Sequence, residues 1–258
     1  MGYFHRFLLT TPASLKLPFP KFDHWYLVYD GLWFGKLFCL MVYRVYRSPF
    51  IIHASITKKE WGHHIAVDLR LIAAKGYRFV GVITDGGTGV VKAKEEVFPH
   101  TPHQICLVHT HRQATSALGQ HPQDYRVKQL KKLADHLFLI ESKEALSWWQ
   151  NELKTWVIRN HSFLMEYRTD DTGRWWYVHK GARKAVRILS RAPATSFTFL
   201  SSPLMPRDTN GIEGMFTNVS MKWLIHRGLK RNRWPNFLLW FIYFRNQKLL
   251  ADSKQTRV

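Results

Sequence analysis

Residues 77–84 read YRFVGVIT and run straight into Asp85 and the glycines of DGGTG. A short apolar run rich in aromatic and β-branched residues, bounded by Gly76 and by a glycine cluster, predicts a buried β-strand. What surrounds it decides the fold class. Upstream, TKKEWGHHIAVDLRLIAAKG (57–76) repeats Trp61, Ile65, Leu69 and Ile72 at spacings of three and four, the pattern of a helix with one apolar face, stopped at Gly76. Before that helix, residues 25–30, KLFCLMVYR (36–44) and FIIHASI (50–56) read as three strands joined by short connections, an antiparallel meander. Downstream, a short helical stretch leads to HQICLVH (103–109), which reads as a fifth strand. Three strands, a helix, a strand, a helix and a strand predict an α/β fold with a mixed sheet and flanking helices.

The character changes after residue 110. DYRVKQLKKLADHLFLI (124–140), SKEALSWWQNELKTWVIRNH (142–161) and GARKAVRILSRA (181–192) are helical patterns laced with basic residues, and TDDTGRWW (169–176) reads as a turn between them. Residues 111–200 are therefore expected to form a mostly helical insertion. It would split an α/β domain whose first part is 23–110 and whose last part is 201–258, behind an irregular lead-in at 1–22. The last part opens with a loop holding Pro203 and Pro206. A helix is expected from about 210 to 226, stopped at Gly228, and an aromatic one from about 235 to 249. The tryptophan pairs Trp148–Trp149 and Trp175–Trp176 are expected to pack in cores, with stacking on unpaired bases of a nucleic acid as the alternative.

The chain has 258 residues and a formal charge of +20, from 38 Lys and Arg against 18 Asp and Glu. Such an excess opposes compaction unless a polyanion neutralises it, which points to nucleic acid. The most apolar stretch, FLLWFIYF (237–244), is too short to span a bilayer, and the N-terminal segment lacks a clean secretory pattern. Two cysteines, Cys39 and Cys106, are too few for a disulfide framework and imply a reducing compartment. Composition predicts a soluble, nucleic-acid-associated protein without a membrane partner.

Three carboxylates stand out against this basic background. Asp30 in VYDG and Asp85 in ITDG each follow an apolar strand and precede a glycine, and Glu213 lies between two glycines in TNGIEGMF (209–216). An isolated Asp-Gly pair is first a turn signal, and a glutamate in the first turn of a helix complements its dipole. If the two strands are neighbours, however, both aspartates emerge at one edge of the sheet, where the glutamate can join them. Converging carboxylates suit two Mg²⁺ ions about 4 Å apart, the arrangement that cuts and joins phosphodiesters.

These motifs carry a family resemblance. YDGLWFG (29–35), ITDGG (83–87) with CLVH (106–109), WWYVHKGARKA (175–185) and TNGIEGMFTNVSMKWLIHRGL (209–229) resemble DDE transposases of the Mutator and IS256 superfamily, nearest to the IS1249-type bacterial transposases, over residues 25–247. The resemblance implies a ribonuclease-H-like fold interrupted by the helical insertion, with Mg²⁺-dependent DNA strand cleavage and strand transfer at insertion-sequence ends. Mn²⁺ is expected to substitute. Asp30, Asp85 and Glu213 fall on the catalytic, metal-binding positions. Implied partners are transposon ends and target DNA, with a homodimer or higher oligomer acting on them and no small-molecule substrate. The implied location is the bacterial cytoplasm, at the nucleoid.

Other positions are expected near that site. Cys106 and His109 form C-x-x-H, a poor zinc site without a second pair; a buried Cys and a strand-edge His is the plainer reading. Asn210 suits a helix cap, while Asn218 lies five residues past Glu213 and need not share its face. His226, Arg227, Lys230, Arg231 and Arg233 form a basic run suited to phosphate contacts. Only 29 residues precede Asp30, without a Cys pair or helix-turn-helix pattern, so relative to full-length relatives the chain is expected to be N-terminally truncated. A noncatalytic DNA-binding remnant and another ribonuclease-H-like nuclease, such as a junction resolvase, are the alternatives.

Overall fold

The meander forms as its alternating apolar residues require. In a computed structural model that describes residues 8–20, 24–225 and 228–255, β1 (Tyr26–Phe34) pairs antiparallel with β2 (Phe38–Val45), and β2 with β3 (Ile51–Thr57). On the other side of β1 lies β4 (Gly81–Thr84), in parallel, and β5 (His103–Ile105) follows, giving the order β3-β2-β1-β4-β5. The parallel crossover contains α1 (Gly62–Ala74); α2 (Thr88–Val97) joins β4 to β5. The sheet is thus mixed and the class α/β, as the order of the apolar runs predicts.

Three local readings are corrected. β1 does not end at Asp30 but continues to Phe34, because Gly31 stays extended in the hairpin ladder opposite Met41. The run from Tyr77 enters the ladder only at Gly81: its aromatic rings instead join a cluster with Phe19, Trp25 and Phe79, so their apolarity reports burial rather than strand pairing. Trp61 is not on the apolar face of α1. It stands exposed at the position before the helix, and Ile65, Ala66, Leu69 and Ile72 make the buried stripe.

One sheet face packs on α1 and α2 through Leu27, Tyr29, Met41, Tyr43 and Val82. Residues of opposite parity along β1 and β2, including Val28, Asp30, Leu40 and Val42, point to the other face. The segment α8 (Asn210–Ile225) touches β1, and α9 (Trp234–Gln255) touches β3, where the Asn246 side chain donates to the Ile51 carbonyl and accepts from the Ile51 amide. These elements belong to one compact unit, lying within Met1–His103 and Thr209–Val258.

Gln104–Asp208 form a second unit. Its helices are α3 (Leu107–Leu118), α4 (Tyr125–Asp135), α5 (Lys143–Arg159), the short α6 (His161–Met165) and α7 (Lys180–Thr195), with a hairpin of β6 (Tyr167–Thr169) and β7 (Trp175–Tyr177) where a simple turn is predicted. The core joins Leu107, Leu130, Trp149, Leu153 and Leu189. Of the two tryptophan pairs only Trp149 is in the core, at 0% exposed; Trp176 is half-buried, and Trp148 and Trp175 are each 57% exposed. Gly181 lets α7 lie against α3, since a Cβ there would collide with the Ala117 carbonyl. The entry and exit of the unit are tied together. The Leu107 amide donates to the Arg207 carbonyl at 2.9 Å, and the Gln104 side chain bonds Ser196 and Phe199. Such adjacency is what an insertion into another domain needs.

Candidate active site

Asp30 lies inside β1 and is only 3% exposed. A buried carboxylate must be satisfied by donors. Its Oδ1 accepts the Gly31 amide at 2.8 Å, and its Oδ2 accepts the Thr209 hydroxyl at 3.0 Å. Thr209 is itself fully buried, and its carbonyl accepts the Ile212 amide at the start of α8.

Asp85 follows β4 directly. The parallel register pairs Tyr26 with Gly81, Leu27 with Val82 and Val28 with Ile83. The last of these pairs lies two residues before Asp30 on β1 and two before Asp85, which follows β4. The Asp-Gly turn and the candidate site coincide here. Asp85 Oδ1 accepts the Gly87 amide at 3.0 Å, closing the turn that starts α2, and the Gly86 amide goes to the Thr84 hydroxyl.

Glu213 occupies the first turn of α8 and is partly exposed. It lies four residues after Thr209, which stands just before the helix. The bond from Thr209 to Asp30 therefore ties the residue just before α8 to the strand that bears Asp30. A second clamp supports this placement: the Arg44 guanidinium donates to the Gly211 carbonyl and to the Ser48 carbonyl, joining β2 to the start of α8. Asn210 is the first residue of α8, with Thr209 at the position before it, and Asn218 is exposed further along.

A fourth carboxylate, missed in the sequence, borders this region. Glu60 accepts hydrogen bonds from the Tyr29 hydroxyl and from Trp33 Nε1, at 2.5 and 2.8 Å, and packs over Gly31. A Cβ at Gly31 would collide with Glu60 Oε1 and stand 3.0 Å from Cys39 Sγ. Gly31 thus serves close packing, not a sharp turn after Asp30. Burial, and then the charges of Glu60, Asp85 and Asp30, push the Cys39 thiol well above its ordinary range. Burial and Glu60 likewise raise the Tyr29 phenol, with Asp85 adding to them. Three carboxylates thus act on the buried thiol of Cys39. The only sequence signal for Glu60 was an acid flanked by Lys59 and Trp61 just before a helix.

Carboxylate oxygens are donors that suit a hard divalent ion. As the side chains stand, no group of three or more His, Cys, Asp or Glu among the described residues could hold a metal ion.

The remaining expected residues are distributed as follows. Cys106 is buried at the position before α3, and His109 lies in the first turn of that helix, so the predicted fifth strand ends at Ile105, before both. Both belong to the second unit, whereas Asp30, Asp85 and Glu213 belong to the first. Lys230 and Arg231 are exposed, and Arg233 partly so, around a 3₁₀ turn at Arg231–Arg233. His226 and Arg227 lie outside the described residues. Among the described residues no helix is long and apolar enough to cross a membrane.

No curated protein matches the chain. The model of the family described as "Transposase, Mutator family" matches residues 51–185, which includes Asp85, Cys106 and His109 and leaves Asp30 and Glu213 outside. With β3, the α1 crossover, β4 and most of the helical unit inside a match that spans just over half of its length, the chain belongs to the Mutator family of transposases.

Proposed function

We propose that this chain carries the catalytic part of a DDE transposase on a ribonuclease-H-like sheet, with Asp30, Asp85 and Glu213 as the catalytic carboxylates. The observation that carries this reading is the Thr209 to Asp30 hydrogen bond, which brings the start of α8 to the strand beside β4. The strand order and the helical unit between Asp85 and Glu213 support the same reading.

Each carboxylate has a distinct part. Asp30 is held in one orientation by Gly31 and Thr209, so little ordering remains for it to lose when a cation or phosphate approaches. Asp85 keeps Oδ2 clear of the turn bond made by Oδ1. Glu213 is reachable from solvent. The donor chemistry fits Mg²⁺ or Mn²⁺, which when bound by these residues supplies Lewis-acid activation of the attacking oxygen and stabilisation of the leaving one. The reaction is in-line attack on a phosphodiester, first by water and then by the freed 3′ hydroxyl. Lys230, Arg231 and Arg233 supply phosphate contacts that position the DNA.

The test is nicking of supercoiled plasmid in Mg²⁺ or Mn²⁺. Asp30→Asn, Asp85→Asn and Glu213→Gln should each lower the rate by at least about 100-fold, the upper range seen when even an outer-shell partner of a metal ligand is lost. Unchanged nicking by Asp85→Asn would overturn the assignment.

A further inference from the structure

Helix α7 carries a basic stripe that the catalytic reading does not use. Lys180, Lys184, Arg187 and Arg191 lie on it at spacings of four, three and four, and all four are exposed. At 3.6 residues per turn these positions fall within an arc of about 60°, and at 1.5 Å per residue they extend along about 16 Å. The opposite side of the helix is buried through Ala182, Ala185, Leu189 and Ala192.

A merely solvated helix face has no need of this arrangement. Lys180 with Lys184, and Arg187 with Arg191, are like-charge pairs four residues apart, which destabilise a helix. Lys180 also sits at the positive end of the helix dipole, with no acidic residue in the first turn. Among the described residues none of the four side chains is paired with a carboxylate. Elsewhere, by contrast, Arg70 pairs with Glu96 and Arg126 with Asp124. The other basic residue of the N-terminal turns, Arg183, has a structural role, lying 3.5 Å from the Tyr177 ring centroid and donating to the Leu164 carbonyl. Lys180 has a long cation–π contact, 6.0 Å from the Trp176 ring centroid. Unfavourable local electrostatics, kept on one straight line without a carboxylate partner, are relieved by an external polyanion.

We infer that the α7 stripe is a duplex-DNA contact surface that follows one strand's phosphate backbone. Over about 16 Å of axis one strand presents about five phosphates, enough to engage all four side chains. The assignment rests on the DNA-directed reading above but is independent of which carboxylates act. It gives the helical unit a share of the DNA affinity.

The experiment compares the full chain with two triple variants in binding to a labelled blunt duplex of random sequence, between about 50 and 200 mM salt. One variant is Lys184→Gln, Arg187→Gln and Arg191→Gln. The other, a charge-matched control, is Lys36→Gln, Lys154→Gln and Lys248→Gln, three exposed lysines outside the stripe. Loss of three phosphate contacts should reduce the slope of log K against log salt by about 2.7 in the stripe variant and leave the control near wild type. The single variant Arg187→Gln, with a change of about 0.9, carries the test if the triple variant does not fold. Wild-type binding together with equal slopes in the stripe and control variants would overturn the stripe alone. No wild-type binding at low salt would overturn the stripe and the DNA-directed reading together. A stripe variant that loses affinity for phosphatidylserine vesicles while keeping its DNA slope would also overturn it, in favour of a membrane surface.

Discussion

The hydroxyl of Thr209 reaches Asp30 Oδ2 at 3.0 Å across 179 residues of sequence, with the whole second unit lying between them in the chain. One buried hydrogen bond thus couples the return of the chain after that unit to the strand at the middle of the sheet. Removing it while keeping the shape isolates its contribution. Thr209→Val is expected to lower stability by about 1.5–3 kcal/mol, the range for hydrogen bonds to charged groups, and to slow nicking. Thr209→Ser should restore both, as read by denaturant unfolding and the plasmid assay.

Gly31 offers a second probe of the same region. A methyl group there must displace Glu60 from Tyr29 and Trp33, so Gly31→Ala is expected to cost about 1–3 kcal/mol. Removing the obstructing carboxylate in Gly31→Ala with Glu60→Ala should recover part of that loss. A coupling energy above about 0.5 kcal/mol in the double-mutant cycle is the expected result.

The inward and outward tryptophans of the second unit separate packing from surface. Trp149 is fully buried and donates to the Leu133 carbonyl, so Trp149→Ala should cost about 3–5 kcal/mol. Its exposed neighbour should behave differently: Trp148→Ala is expected to stay within about 0.5 kcal/mol of wild type in the same unfolding experiment.

A pH dependence follows from His103. Burial, and then the nearby Lys94, lower its pKa to about 4, and its ring bonds the Thr84 hydroxyl at 2.9 Å. The folded chain holds this His neutral, whereas the unfolded chain titrates it near 6.5. The contribution is therefore complete above about pH 6.5 and is lost as pH falls toward about 4, with a full span of roughly 3 kcal/mol. Melting temperatures across that window should fall less steeply for His103→Gln than for wild type.

Much of the fold was legible because apolar period and strand bounds agree over long runs. The meander, the α1 stripe at Ile65, Leu69 and Ile72, and the helix that bears Glu213 all follow from spacing. Where the reading failed, apolarity had more than one cause. The ring of Tyr77 is buried, and that of Phe79 partly so, by aromatic packing outside the ladder, and Cys106 and Leu107 are buried at a helix start where a strand is expected. Asp30-Gly31 mimicked a strand end because a glycine needed for close packing has the same letter as one needed for a turn. Glu60 and Thr209 were illegible for another reason: their partners lie 27–31 and 179 residues away, and no local pattern reports such pairings.

The most direct measurement is a calorimetric titration of Mn²⁺ into the wild-type chain and into Asp30→Asn, Asp85→Asn and Glu213→Gln, with DNA present. Binding in the wild type and its loss in all three variants is the expected result, since carboxylates from β1, the end of β4 and α8 then serve one centre. Wild-type affinity retained by any one of the three would contradict it.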